Sequence, residues 1–271
     1  MKNLLSVSLI IIFSLGFFAA CKKDKGVPPL LPASESMTID FSNFTSLKKS
    51  FDMLNGQKGT ENSNWEFSAT VVVTWKLLTS VNLAVPIASF KQAAGQVPVF
   101  VSDKLWQWNY DFTLANVTYK ARLTGLIGTS DVSWKMYITR EGDGGFPEFL
   151  WFEGTSKTDG TSGQWIFNEN PQSQAPILQI DWTKNGDTIE SIKYTYVKNL
   201  DPFKNSFIEY GFTTSDLNAY FNIHYYTGIK FSDVNIEWNT TTKNGRVKSL
   251  DYLGDSLWHC WDSNKINITC I

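Results

Sequence analysis

The chain has 271 residues, with 24 Lys and Arg against 26 Asp and Glu and a formal net charge of −2. A balance this close to neutral, without basic runs, excludes the electrostatic footprint of a nucleic-acid binder. Aromatic residues make up 15% of the chain and include 11 Trp, so these rings must either fill a core or form a binding surface.

The N-terminus begins with Met1 and Lys2, continues as an apolar run from Leu4 to Phe18, and ends in the small residues Ala19 and Ala20. This is the pattern of a secretory signal peptide over residues 1–20, and its run of about 15 residues is shorter than the roughly 20 that a spanning helix needs. Phe18-Ala19-Ala20-Cys21 resembles the lipobox of bacterial lipoproteins, with Phe where Leu is usual. The resemblance implies cleavage before Cys21, a diacylglycerol on its sulfur and a mature chain held at a membrane by acyl chains, each buried methylene contributing about 0.8 kcal/mol. Residues 21–35, with Pro28, Pro29 and Pro32, have little periodicity and read as a flexible to semi-rigid tether. The whole start is similar to that of bacteroidete-type outer-membrane lipoproteins, some of which reach the cell surface through an acidic patch after the cysteine. Here Lys22-Lys23-Asp24-Lys25 is basic, so the resemblance implies an outer membrane and leaves the side open.

Residues 36–271 are expected to form one domain. Met37, Ile39 and Phe41 alternate with polar residues and predict a first strand. Over residues 64–93, Asn64 is a candidate cap, and Val73, Leu77, Val81, Ala84 and Ala88 recur at helical spacing, with a break or kink at Pro86. Apolar residues on most sides of this helix predict that it is buried, while the β-branched run Thr70–Thr74 keeps a strand as the alternative. From Trp106 onward the period is two: Trp106, Trp108, Tyr110, Phe112 and Leu114 alternate with polar residues, and similar strands follow at Val117–Leu126, Val132–Thr139, Glu148–Gly154, Gly163–Phe167, Ile177–Trp182, Thr188–Val197, Phe207–Phe212, Ala219–Tyr225, Val234–Trp238 and Arg246–Leu253. Asn185-Gly186 and Asn244-Gly245 carry the residues that tight hairpins demand, and Glu141–Gly145 reads as a hairpin turn rather than a calcium loop. With Cys21 assigned to lipid, Cys260 and Cys270 are left as a pair across a polar turn. A disulfide closing that terminal hairpin would contribute roughly 3 kcal/mol.

These elements predict a mainly β fold: a large antiparallel barrel or strongly curved sheet of about 11–13 strands packed on one long apolar helix, about 64–93, with a β-sandwich as the alternative. The outline resembles lipocalin-type and LolA-type lipid carriers, although no motif of either family is present. Charges on the strand faces, among them Lys120, Arg122, Lys135 and Lys193, argue against a membrane-spanning barrel.

Only His224 and His259 occur, no nucleophile, metal or phosphate motif accompanies them, and no catalytic residue, metal or cofactor is assigned. Glycosidase chemistry needs only two carboxylates, and nothing singles out a pair. The sharper candidate is aromatic. Trp106 and Trp108 share a strand face, and Phe149-Leu150-Trp151-Phe152 places apolar groups on both faces of one strand. Trp106, Trp108, Phe149 and Trp151 are thus candidate walls for an acyl chain or another apolar ligand, or plain core. A helix that plugs the lumen would leave no cavity. Thr188 in Asp187-Thr188-Ile189 and Ser256 in Asp255-Ser256-Leu257 are similar to O-glycosylation acceptors of exported bacteroidete-type proteins. The combined expectation is a non-enzymatic envelope lipoprotein that binds a hydrophobic ligand or an envelope partner. The alternatives are a surface glycan binder using exposed Trp and a hydrolase of envelope polymers. In a detergent phase separation of its own host the chain should follow the detergent, and Cys21→Ser should move it to the aqueous phase. A wild-type chain that is found in the aqueous phase with an unmodified thiol would remove the anchor.

Overall fold

The computed structural model describes residues 25–44 and 61–270. The segment expected to be a signal peptide, Cys21 with the lipobox-like residues before it, and residues 45–60 lie outside them. The fold is mainly β, with 14 antiparallel strands in a single sheet. In chain order these are β1 (Val99–Ser102), β2 (Leu105–Leu114), β3 (Val117–Ile127), β4 (Asp131–Arg140), β5 (Phe146–Lys157), β6 (Ser162–Asn170) and β7 (Ser173–Asn185). The second half holds β8 (Thr188–Tyr196), β9 (Phe207–Phe212), β10 (Ala219–Tyr226), β11 (Phe231–Trp238), β12 (Gly245–Lys248), β13 (His259–Trp261) and β14 (Asn267–Ile268). Each strand pairs only with its neighbours in sequence. The connections therefore alternate between two rims. Those after even-numbered strands lie on one rim, called upper here, and those after odd-numbered strands lie on the lower one.

The barrel expectation fails at closure, because β1 and β14 do not pair, and the sandwich fails because there is one sheet. What stands between the two edges is a helix, α1 (Ser63–Ala93), which packs on β2 and β3 at one side and on β12, β13 and β14 at the other. Its start is held by Asn64 Nδ2 donating to the Cys260 carbonyl at 3.0 Å and by Asn267 N donating to the Glu61 carbonyl at 2.6 Å. Its end is held by the Tyr110 hydroxyl donating to the Ser89 carbonyl at 2.6 Å. The long apolar helix expected over 64–93 is two arms, Ser63–Ser80 and Asn82–Ala93, bent by 65°, so the break expected at Pro86 falls about one turn earlier. Pro86 has no N–H to give the carbonyl of Asn82 four residues earlier, so the ladder opens at this point. The buried stripe also differs from the expected one. It runs through Ser68, Val72, Trp75, Thr79, Leu83, Pro86, Phe90 and Ala93, while Leu77 and Ala84 are exposed. Ser and Thr in the stripe hid it from an apolar pattern. Their hydroxyls bond back to the preceding turn, Ser68 to Asn64 O at 2.8 Å and Thr79 to Trp75 O at 2.8 Å, which lets them be buried at little cost.

The inner face of the sheet is filled by rings, and a repeated device seats them. Trp134 lies over Gly125, Trp165 over Gly154, Trp182 over Gly163 and Trp261 over Gly245, in each case a cross-strand partner on the preceding strand. A Cβ on any of these glycines would come within 2.4 to 2.7 Å of an indole carbon. Gly245 is therefore a seat for Trp261 and not the turn expected from Asn244-Gly245; the positive φ of that loop falls on Lys243, at 66°. The other expected turn shifts by one residue, to Gly186-Asp187, with φ +60° on Gly186.

Residues 29–44 cross the lower rim. Pro29 covers Gly125, the Ser36 hydroxyl accepts from Trp165 Nε1 at 3.2 Å, and Phe44 meets Trp238 edge-on at 5.0 Å. The expected strand at Met37–Phe41 is absent because its backbone is already engaged. The Tyr194 hydroxyl donates to Met37 O at 2.7 Å and accepts from Ile39 N at 3.2 Å. The expected strand Arg246–Leu253 stops at Lys248 and gives way to a short helix, α2 (Leu250–Leu253), on the upper rim. Cys260 and Cys270 meet with Cα atoms 5.2 Å apart, placed to close the terminal hairpin by a disulfide.

Gly154→Ala is the sharpest test of the ring seats, since its Cβ would sit 2.1 Å from Gln164 O and 2.5 Å from Trp165. Overpacking of this kind should lower urea stability by about 2 kcal/mol, whereas Gly95→Ala, whose Cβ would meet only Gln92 O at an ordinary contact distance of 3.8 Å, should change it by less than about 0.5 kcal/mol.

Candidate functional site

Between the first arm of α1 and the upper halves of β6 to β10 lies a cavity of about 670 Å³. The helix contributes one stripe to it: Ser63, Glu66 and Phe67, Thr70 and Val71, Thr74 and Trp75, Leu78 and Thr79, then Asn82 and Leu83 at the bend. Spacings of three and four residues put all of these on one face. The sheet contributes Phe167, Ile177, Leu178 and Tyr225, and the upper-rim loops add Phe203, Thr227 and Tyr252. The exposed lining residues are Thr74, Leu78 and Asn82 on α1 and Phe203 and Thr227 on upper-rim loops, so the mouth opens between the helix and the upper rim. The helix therefore does not plug the lumen; its bend and the splay of its two arms leave room beside it.

The walls are more apolar than their composition suggests. Thr70 and Thr74 donate to the carbonyls of Glu66 and Thr70, each at 2.9 Å, so the hydroxyl hydrogens are used within the helix. Asn168 Nδ2 donates to Leu150 O at 2.7 Å, and the Ser206 hydroxyl accepts from Tyr226 N at 3.2 Å. The Tyr196 hydroxyl donates to Asp201 at 2.8 Å, and burial, aided by that carboxylate, pushes its phenol up to about 12. Tyr252 stacks on Phe67 with ring centroids 3.7 Å apart, and burial together with the charge of Glu66 raises its phenol. Among the described residues that line it, Glu66 is the single carboxylate, and none is Lys, Arg or His. The cavity thus suits a neutral, apolar molecule, in the size range of about 300–1,000 Å³ usual for small-ligand sites.

None of the four aromatic candidates from the sequence lines this cavity. Trp106 is buried edge-on to Phe100 at 5.5 Å, and Trp108 is buried against Trp134 at 5.9 Å. Trp151 is the extra residue of a β-bulge, where the pairing steps from Met136↔Phe152 to Tyr137↔Leu150. The bulge turns both Phe149 and Phe152 inward and leaves Trp151 half-buried between Phe146 and Phe149. The cavity stripe was readable in principle from Phe67, Val71, Trp75 and Leu78, which sit four, four and three residues apart. Its alternating Thr disguised it.

The two histidines lie elsewhere. His224 Nδ1 is 2.7 Å from Asp233 on the outer face, stacked between Phe207 and Phe231, and His259 Nε2 is 3.0 Å from Asp255. Among the described residues no group of three or more His, Cys, Asp or Glu is placed to hold a metal ion. Thr188 is exposed at the first residue of β8, and Ser256 is exposed within the loop between α2 and β13.

Burial also holds the Tyr220 phenol up at about 12 and those of Tyr110, Tyr194 and Tyr210 higher still. An unfolded Tyr ionises near pH 10, so the folded chain keeps protons that the unfolded chain loses. This stabilisation is complete below about pH 10 and is lost as pH rises toward the folded values. The urea midpoint should accordingly fall between about pH 10 and about pH 12, with the absorbance of these particular phenolates appearing only as the chain unfolds. A midpoint unchanged over that range would contradict the burial of these phenols.

No known protein family, no curated protein and no solved structure matches this chain.

Proposed function

We propose that this chain is an envelope lipoprotein, held at an outer membrane by acyl groups on Cys21, whose β domain carries a neutral apolar molecule in the cavity beside α1. The observation that carries the ligand half is the cavity of about 670 Å³ with, among the described residues, one carboxylate and no cation in its walls. Buried apolar surface supplies the affinity of such a site, and the few polar groups at its mouth orient the ligand. The lipobox of Phe18–Cys21 carries the anchor half.

The two alternatives have less support. A glycan platform needs exposed indoles, yet nine of the 11 Trp are buried, and the remaining two, Trp151 and Trp258, are half-buried. Trp258 is moreover covered by Arg246 and Lys248, whose cations lie 4.3 and 4.8 Å from its ring. A hydrolase would need a pair of acid and base groups at the cavity, and Glu66 stands there as the single carboxylate, with neither histidine in the walls.

The mature domain, produced in its own host, should show bound apolar mass in native mass spectrometry. The stripped protein should take up the neutral fluorophore N-phenyl-1-naphthylamine, and Val71→Phe or Thr74→Trp should weaken that uptake about tenfold or more while leaving the thermal midpoint within a few degrees. Bare protein mass together with no fluorescence response from the wild-type chain would remove the ligand reading.

A further inference from the structure

The lower rim beside β1 carries apolar side chains that the core does not use. Val99 and Val101 on this edge strand are 60% and 49% exposed, and Leu126 near the end of β3 is 46% exposed. They share one corner with the chain arriving from the N-terminus. Leu105 pairs both with Leu126 and with Ser102 of β1, and Gly125, next to Leu126, lies under Pro29. Val27 and Leu30 are exposed on either side of Pro29. Lys104, in the turn between β1 and β2, is exposed at the same corner next to Asp103, and Lys25, four residues before Pro29, is exposed as well. An apolar edge strand left open in this way invites pairing and aggregation unless something covers it.

We propose that this corner is a bilayer-contact face, seated on the anionic membrane that holds the acyl groups of Cys21, so that the cavity mouth on the upper rim points away from that membrane. The inference rests on the reading of Cys21 as acylated. The length of the leash identifies what covers the patch. Eight peptide units separate Cys21 from Pro29. A relaxed chain of that length spans about 16 Å, whereas the stretch of β3 from Gly125 up to Val117 runs about 27 Å. The bilayer that receives the acyl chains is within easy reach of the lower rim and beyond the relaxed reach of the upper one. Lysines at the corner meet anionic headgroups, and the valines and leucines beside them enter the boundary below. The cavity then exchanges its ligand with the compartment facing the upper rim, or with a surface across it, and not with the membrane on which the protein stands.

The test uses the acylated full-length mature chain in vesicles of phosphatidylethanolamine and phosphatidylglycerol. A bimane label is placed on Val101→Cys at the lower rim or, separately, on Ile229→Cys at the tip of the β10–β11 turn on the upper rim. Nitroxide lipids should quench the label at 101 and leave the label at 229 at its intensity in unquenched vesicles. Quenching at 229, equal quenching at both sites, or quenching at neither overturns the orientation. The mass of the N-terminal peptide from the same sample separates the two levels: an unacylated Cys21 would overturn the anchor and the orientation together, whereas an acylated chain with the wrong quenching pattern would overturn the orientation alone.

Discussion

The structure depends on the way α1 spans a gap that the sheet leaves open. Fourteen strands in strict sequence order curl round a common core, but β1 and β14 do not bond to each other. The helix fills the place of the missing hydrogen-bonded seam, its first turn tied to β13 and β14 and its last to β2. A strand in that position would have closed a barrel; a helix about 10 Å wide holds the two walls further apart. Because the helix is also bent at the turn before Pro86, it cannot lie flat along the whole inner surface. The cavity is the space left over, and it sits where the first arm of the helix leaves the sheet.

The walls tolerate that space because the rest of the interior is tightly fitted. An indole is too large to stand on every strand of a curved sheet, and glycine at the cross-strand position gives it a flat floor to lie on. Four Trp use this arrangement, three of them on β4, β6 and β7 in the middle of the sheet and the fourth on β13 in the terminal hairpin. Indole N–H groups find partners where the chain supplies them, as Trp134 does in the Ser156 hydroxyl at 2.9 Å and Trp261 in the Lys243 carbonyl at 2.9 Å. The ion pairs on the outer face, such as Arg122 with Glu148 and Lys120 with Glu141, are exposed and contribute little by comparison.

Most of the sheet was legible because period two is a direct print of the pleat. The strands β2, β3, β4, β8, β9 and β10 fall within a residue or so of their sequence expectation, since each has one face in the core and one in water. Legibility failed where a segment answered to something other than the pleat. Met37–Phe41 has the alternation of a strand, yet the Tyr194 hydroxyl takes the place of a neighbouring strand. Gly245 looks like a turn residue, yet it is needed under an indole 16 residues further on. The cavity was the least legible part. Its helical stripe mixes Thr with aromatic residues, and hydrophobicity alone cannot tell a hydroxyl spent on its own helix from one facing water. The obvious aromatic cluster drew attention to Trp106, Trp108, Phe149 and Trp151, which serve the packed half of the interior.

A chain laid down strand beside strand needs few distant contacts, and most of this sheet can assemble from its nearest neighbours as it is made. Closure is different. Asn64 waits for the carbonyl of Cys260, 196 residues later, and Ser63 for Asn267, 204 residues later. Until the terminal hairpin arrives, the ring-lined inner face has no lid on that side, so the nascent chain spends the greater part of its synthesis with its stickiest surface uncovered. The cysteine pair at the very end of the chain thus sits on the piece that completes the enclosure, and oxidation of that pair would fix the clasp only after everything upstream is in place.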